Sequence, residues 1–167
     1  MLRPEASTVE AMASTLGCRR VLVPIAGNPE SEKAMDVACR IAAARSGVIT
    51  AVAVVEVPAL LPLDAHMRDE EARAHELLER ASAITTSYGV GVSTRRVRGR
   101  DAAAAILQQA ALGASEIIVL GAPRKRPTRR GTSVFGTTVE HVLKRAPCRV
   151  MLIGAAPIEV YAVNAAA

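Results

Sequence analysis

An α/β fold, with a doubly wound five-stranded parallel sheet and helices on both faces, is predicted by three features of this sequence. Five short apolar runs recur along the chain, and the first two and the fourth lack polar alternation, as strands buried on both faces do. Four segments with helical apolar periodicity separate them in strict alternation, which implies parallel strands joined by crossovers. Glycine, proline and asparagine punctuate the junctions.

Taken in order, residues 1–18 form a flexible N-terminal arm without a consistent period. Arg20 to Ile25 (RVLVPI) is the first strand, broken by Ala26-Gly27-Asn28-Pro29. Asn28 is the expected N-cap, with Pro29 at the first helical position and Glu30 and Glu32 in the positive first turn. Ala34, Val37, Ala38, Ile41 and Ala42 keep one face of that helix apolar until Ser46-Gly47 ends it. Val48 to Val57 is the second strand, and Pro58 and Pro62 bracket a loop into a long helix. Its stripe is Met67, Ala74, Leu77, Leu78, Ala81, Ile84 and Tyr88, with Gly89 as the stop. Val90 to Val97 alternates as a more exposed third strand. Asp101 caps the next helix, whose Ala103, Ile106, Leu107 and Ala110 face inward. Glu116 to Leu120 is the fourth strand. Phe135, Val139, Val142, Leu143 and Ala146 mark the last helix, and Arg149 to Ile153 the fifth strand. Residues 155–167 form an Ala-rich tail in which 158–163 can pair at an edge. The expected α/β domain is thus 19–154.

Composition narrows the function. With 167 residues the chain fits one domain with a real core. One Phe, two Tyr and no Trp leave almost nothing to stack on bases, so specific nucleic-acid binding is disfavoured. No apolar run approaches the roughly 20 residues of a membrane span, and residues 1–17 lack a signal-peptide core, so the expected location is cytoplasmic. Cys18, Cys39 and Cys148 are too widely spaced to suggest a disulfide framework or a zinc site. His66, His75 and His141 are not spaced as paired metal ligands. Neither a Gly-x4-Gly-Lys-Ser/Thr loop nor a Gly-x-Ser-x-Gly elbow occurs, and no acid–base pair stands out. A binding protein, with at most slow incidental hydrolysis, is expected rather than an enzyme.

Charge singles out one loop. The chain has 21 basic and 16 acidic residues; without Arg124, Lys125, Arg126, Arg129 and Arg130 it would carry 16 of each. This acid-free stretch of the 122–133 loop lies between the strand ending Leu120-Gly121-Ala122 and the segment Gly136-Thr137-Thr138-Val139-Glu140. Gly121 and Gly136 remove side chains where the backbone leaves a strand and enters a helix, permitting close approach by a ligand. The same glycines also suit plain turns. Thr137 and Glu140 fit a capping box that would start the helix, whose first-turn amides and dipole favour a phosphate by roughly 0.3–2 kcal/mol. Ligands of such sheets bind beyond the strands' carboxyl ends, where strand order reverses. The cluster Arg95, Arg96, Arg98 and Arg100 is expected to approach that rim.

Strand Val21-Leu22-Val23-Pro24, strand Ala53-Val54-Val55, the Gly121 loop, Gly136-Thr137 and the ending Ala146-Pro147-Cys148-Arg149-Val150-Met151 together resemble the universal stress protein (UspA-like) family over about residues 19–154. The resemblance implies an adenine nucleotide alpha hydrolase-like, Rossmann-like sheet. It also implies a homodimer through the last strand (Val150 to Ile153) and an adenine nucleotide, ATP or AMP-type or cyclic, with magnesium as an optional companion. Carried over by position, the base lies against Pro24, Ile25, Ala26 and Val54. The phosphates lie on Gly121, Ala122, Gly136, Thr137 and Thr138, with Arg124 nearby, and Leu120 completes the nucleotide-binding set. For Pro24 and Val54 a plain core role fits equally well. The family's nucleotide motif is Gly, two residues, Gly, nine residues, then Gly with Ser or Thr. Here Arg124 takes the place of the middle Gly and the span is two residues longer. Ala26 stands where nucleotide-binding members end the first strand in Asp. These departures predict altered preference or weaker affinity. The resemblance also implies an alternative role: an interaction module that docks a membrane transporter or other acidic partner through the basic 122–133 loop.

Overall fold

The computed structural model describes residue 11, residues 16–123 and residues 136–154. Within these, strands β1 (Arg20–Pro24), β2 (Val48–Glu56), β3 (Gly91–Gly99), β4 (Ile117–Ala122) and β5 (Arg149–Gly154) alternate with helices α1 (Pro29–Ala43), α2 (Arg68–Ser87), α3 (Ala102–Leu112) and α4 (Thr137–Arg145). All pairings are parallel and the sheet order is β3-β2-β1-β4-β5. The doubly wound sheet expected from the apolar runs is therefore present. Its order reverses between β1 and β4.

Side-chain alternation divides the core between the two sheet faces. Val21, Val23, Ile49, Ala51, Ile117 and Val119 point to α1 and α2, while Leu22, Val52, Ile118 and Leu120 point to α3 and α4. Each large side chain buried this way stabilises the fold by roughly 1.5–3 kcal/mol. Along α1, Ala34, Ala38 and Ala42 are all fully buried at i, i+4 spacing. Their small side chains let this helix lie close on the sheet.

The caps read from the sequence hold for two helices. Asn28 Oδ1 accepts from the Ser31 amide at 2.8 Å. Asp101 accepts from the amides of Ala103 and Ala104 at 3.2 and 3.3 Å. The capping box expected at Thr137 does not form: Gly136 is the N-cap, and among the described residues no side-chain cap bond is made. The Glu140 amide donates instead to the Gly136 carbonyl at 3.2 Å, because Gly136 at φ 88° turns the chain into the helix one residue earlier. Strand β4 also runs two residues past Leu120. The edge strand β3 is largely exposed, as its polar alternation predicts. The cysteines are free. The arm, the loop residues Arg124, Lys125, Arg126, Arg129 and Arg130, Phe135 and the possible 158–163 strand lie outside the described residues, apart from Ala11 and 16–18 of the arm.

Candidate functional site

At their carboxyl ends β1 and β4 part. β1 and β2 stay in register from Arg20–Val48 through Pro24–Val52, whereas β1 and β4 pair at Val21–Ile117 and Leu22–Ile118. Beyond those rows lies a cavity of about 530 Å³, inside the roughly 300–1,000 Å³ typical of small-ligand pockets. Its floor is apolar, formed by Pro24, Ile25, Val52, Ala53, Val54 and Leu120.

Four helices begin at this edge, and the sequence treats their starts differently. The first turn of α1 carries Glu30 and Glu32 behind the Asn28 cap, and that of α2 carries Asp69, Glu70 and Glu71. At α3 two carboxylates are already in place: Asp101 holds the amides of Ala103 and Ala104, and Glu56 Oε1 accepts from the Ala102 amide at 3.0 Å. Only α4, among the described helices, starts in the cavity wall with neither a side-chain cap nor an acid in its first two positions, its one first-turn acid being Glu140. The positive end of that helix is the one suited to an external anion.

Of the residues singled out from the sequence, Pro24, Ile25, Ala26, Val54, Leu120, Gly121, Gly136, Thr137 and Thr138 all line this one cavity. Ala122 does not: strand alternation turns its side chain into the core against α3 and α4, where it is fully buried. Arg124 lies outside the described residues. Gly121 has a reason beyond a ligand, since a Cβ there would come within 2.5 Å of the Ser31 amide nitrogen and 2.6 Å of the Glu30 carbonyl carbon. The close approach that this glycine permits is by the backbone of α1.

Arg98 near the end of β3 and Arg100 just beyond it reach the carboxyl rim but are spent on a loop there. Arg98 Nη1 donates to the carbonyls of Leu63 and Ala65 at 2.8 and 2.9 Å, and its Nη2 pairs with Glu71. This contact holds the Glu71 carboxyl below its ordinary range. Arg100 donates to the carbonyls of Val57, at 3.2 Å, and Pro58. Both guanidinium groups fasten the loop between β2 and α2, and neither lines the cavity.

Sequence reasoning missed Glu56, Glu70 and Arg73, the ionisable side chains lining the cavity among the described residues. A signal was present for Glu56, the one charged residue in the run from Val48 to Val57 and the last residue of its strand. Glu70 and Arg73 stand one turn apart on α2, which alone carried no hint of facing β1. Among the described residues no group of three or more His, Cys, Asp or Glu is placed to hold a metal ion. No described helix is long and apolar enough to cross a membrane.

Comparison with known proteins agrees with this architecture. Residues 17–154 match the sequence model of the universal stress protein family. No curated protein matches the chain. Among solved structures, a protein of that family from Burkholderia pseudomallei superposes with a TM-score of 0.65 at 23% identity, over 83% of this chain and 98% of that one. The universal stress protein from Archaeoglobus fulgidus in complex with dAMP gives 0.64 at 18% identity, over 80% and 96% of the two chains. A family protein from Arabidopsis thaliana with AMP bound gives 0.60 at 18% identity, over 86% and 97%. At these identities the likeness bears on the fold.

Proposed function

The chain belongs to the universal stress protein family, and from that premise we propose that it is a regulator that binds an adenine nucleotide in the cavity between β1 and β4. The observation that carries this reading is that α4, with a glycine as its N-cap and no acid in its first two positions, starts in the wall of a cavity whose floor is apolar. A phosphate suits the first-turn amides beyond Gly136, and a flat base suits the surface made by Pro24, Ile25 and Val54. The family proteins solved with dAMP, AMP and cAMP support the same ligand class. In this proposal the phosphate lies on Gly121, Gly136, Thr137 and Thr138, and Arg124 joins from the loop.

The proposed role is binding rather than catalysis, in the cytoplasm, with the occupied state as the signal. Pairing of two chains through β5 belongs to the same reading. β5 is an edge of the sheet, and Val150, Met151, Leu152 and Ile153 on it are half-buried. An apolar edge of this kind invites a partner strand. Sedimentation of the full chain tests the dimer.

Calorimetry and thermal shift with ATP, AMP, cyclic AMP and cyclic di-AMP test the nucleotide. Saturation at 100 times Kd stabilises the protein by about 2.7 kcal/mol. A flat response to all four overturns the reading in favour of a docking module that needs no nucleotide.

A further inference from the structure

We infer that Asn28 binds the ligand as well as capping its helix: its carboxamide NH2 donates to the phosphate of the nucleotide. This inference rests on the nucleotide reading above and adds a side chain to the phosphate end of that site. Asn28 lines the cavity, and its side-chain oxygen is already spent, since Oδ1 accepts from the Ser31 amide at 2.8 Å. That bond fixes which end of the carboxamide is which. The atom facing an N–H is the oxygen, so the other is the NH2, a group that can only donate. The residue is also held in place: the Ser31 hydroxyl donates to the Asn28 carbonyl at 2.8 Å, and Ser31 is buried. Asp101, the cap of α3, differs. Both of its oxygens are engaged by amides, and a carboxylate has nothing to donate.

Packing puts this donor at the phosphate end. The Ser31 amide nitrogen that Asn28 caps is the atom a Cβ on Gly121 would meet at 2.5 Å. The cap therefore lies beside the end of β4, where Gly121, Gly136 and Thr137 also line the cavity. The ionisable lining residues among those described, Glu56, Glu70 and Arg73, stand on β2 and α2 instead. A hydrogen bond from the amide to a phosphate oxygen is charge-assisted, and so stronger than one between neutral groups.

Asn, Asp and Ser cap helices about equally well, so substitution at this position can remove the donor and keep the cap. AMP and adenosine differ only by the phosphate, so calorimetry of the full chain with each isolates the contact. Wild type is expected to bind AMP more tightly than adenosine. Asn28→Asp sets a carboxylate against the phosphate, so AMP affinity should fall about tenfold or more while adenosine changes by less than about twofold. Asn28→Ser withdraws the NH2 without adding charge, and a smaller loss is expected, again confined to AMP; it also serves should the Asp variant fail to fold. An AMP preference that a folded variant retains, or a loss shared equally by AMP and adenosine, makes Asn28 a plain cap and overturns the inference while nucleotide binding stands. A wild type that binds adenosine as tightly as AMP overturns it as well. Binding of neither ligand to wild type overturns the nucleotide reading and this inference with it.

Discussion

Gly121, near the end of β4, lies so close to the first turn of α1 that a β-carbon on it would stand 2.5 Å from the Ser31 amide nitrogen. That nitrogen is already engaged at 2.8 Å by the Asn28 side chain, so the helix start cannot shift without loosening its own cap. The clash is with backbone, which has no rotamer in which to retreat. Gly121→Ala is therefore expected to destabilise the protein by about 2–3 kcal/mol, lowering the melting temperature by roughly 5–10 °C. A melt of the ligand-free chain checks it. An unchanged melting temperature would show that α1 is free to move away.

Gly136 is constrained by conformation instead. At φ 88° and ψ 162° it occupies a region open essentially to glycine alone. Gly136→Ala is expected to cost about 1–3 kcal/mol in stability by chemical denaturation. Because Gly136, Thr137 and Thr138 line the cavity at the start of α4, nucleotide affinity by calorimetry should fall by at least roughly tenfold. A loss of stability with affinity intact would separate the glycine from the proposed phosphate site.

These two glycines show how far the sequence could be read. Apolar runs too short for helices, and caps such as Asn28 and Asp101, define strands and helices because their physics is local. The cavity floor was legible for a related reason: in a parallel sheet, residues ending neighbouring strands meet at one edge, and Pro24, Val54 and Gly121 do so. What fills the space beside a glycine is not local, so Gly121 suited a ligand as well as it suits the α1 backbone. The pattern Thr137-x-x-Glu140 satisfied a capping box in composition while Gly136 took the cap by dihedral angle. Ala122 depended on whether β4 ended at Leu120 or ran on, since each further residue reverses the face. That Arg98 and Arg100 fasten a loop at the rim was not legible, because most of their partners are backbone carbonyls, which have no sequence signature.

Arg98 supplies a prediction about the loop between β2 and α2, which exposes Leu60, Leu61 and Leu63. Its guanidinium spans two carbonyls and the Glu71 carboxylate, a fork that the single ammonium of lysine cannot reproduce. Hydrogen bonds to charged groups contribute about 1.5–3 kcal/mol each, so Arg98→Lys should raise local opening by roughly tenfold or more. Chymotrypsin, cutting at the exposed leucines, should nick the variant correspondingly faster while the global melt changes little. Equal cleavage rates would assign the loop's order to Arg100 and the prolines.

Acid sensitivity is expected at the opposite edge of the sheet, where Glu116 joins the starts of β1 and β4. Its carboxylate accepts from the Arg19 and Arg20 amides at 2.5 and 3.3 Å and from the Arg20 guanidinium at 3.0 Å. The Arg19 amide first, then the Arg20 amide, hold its pKa below the ordinary value of 4.5. A depressed carboxylate pKa means that the folded state binds its proton less readily than the unfolded state does. The stability it contributes is therefore complete above pH 4.5 and is lost as pH falls through the folded-state value. Glu116→Gln removes this titration. Other carboxylates, Glu71 included, titrate equally in both proteins and cancel in the difference. Wild type should therefore be the more stable at pH 7, with its advantage over the variant shrinking steadily below pH 4.5 in parallel denaturation curves. An advantage that stays constant down to pH 3 would mean that the glutamate acts through shape rather than charge.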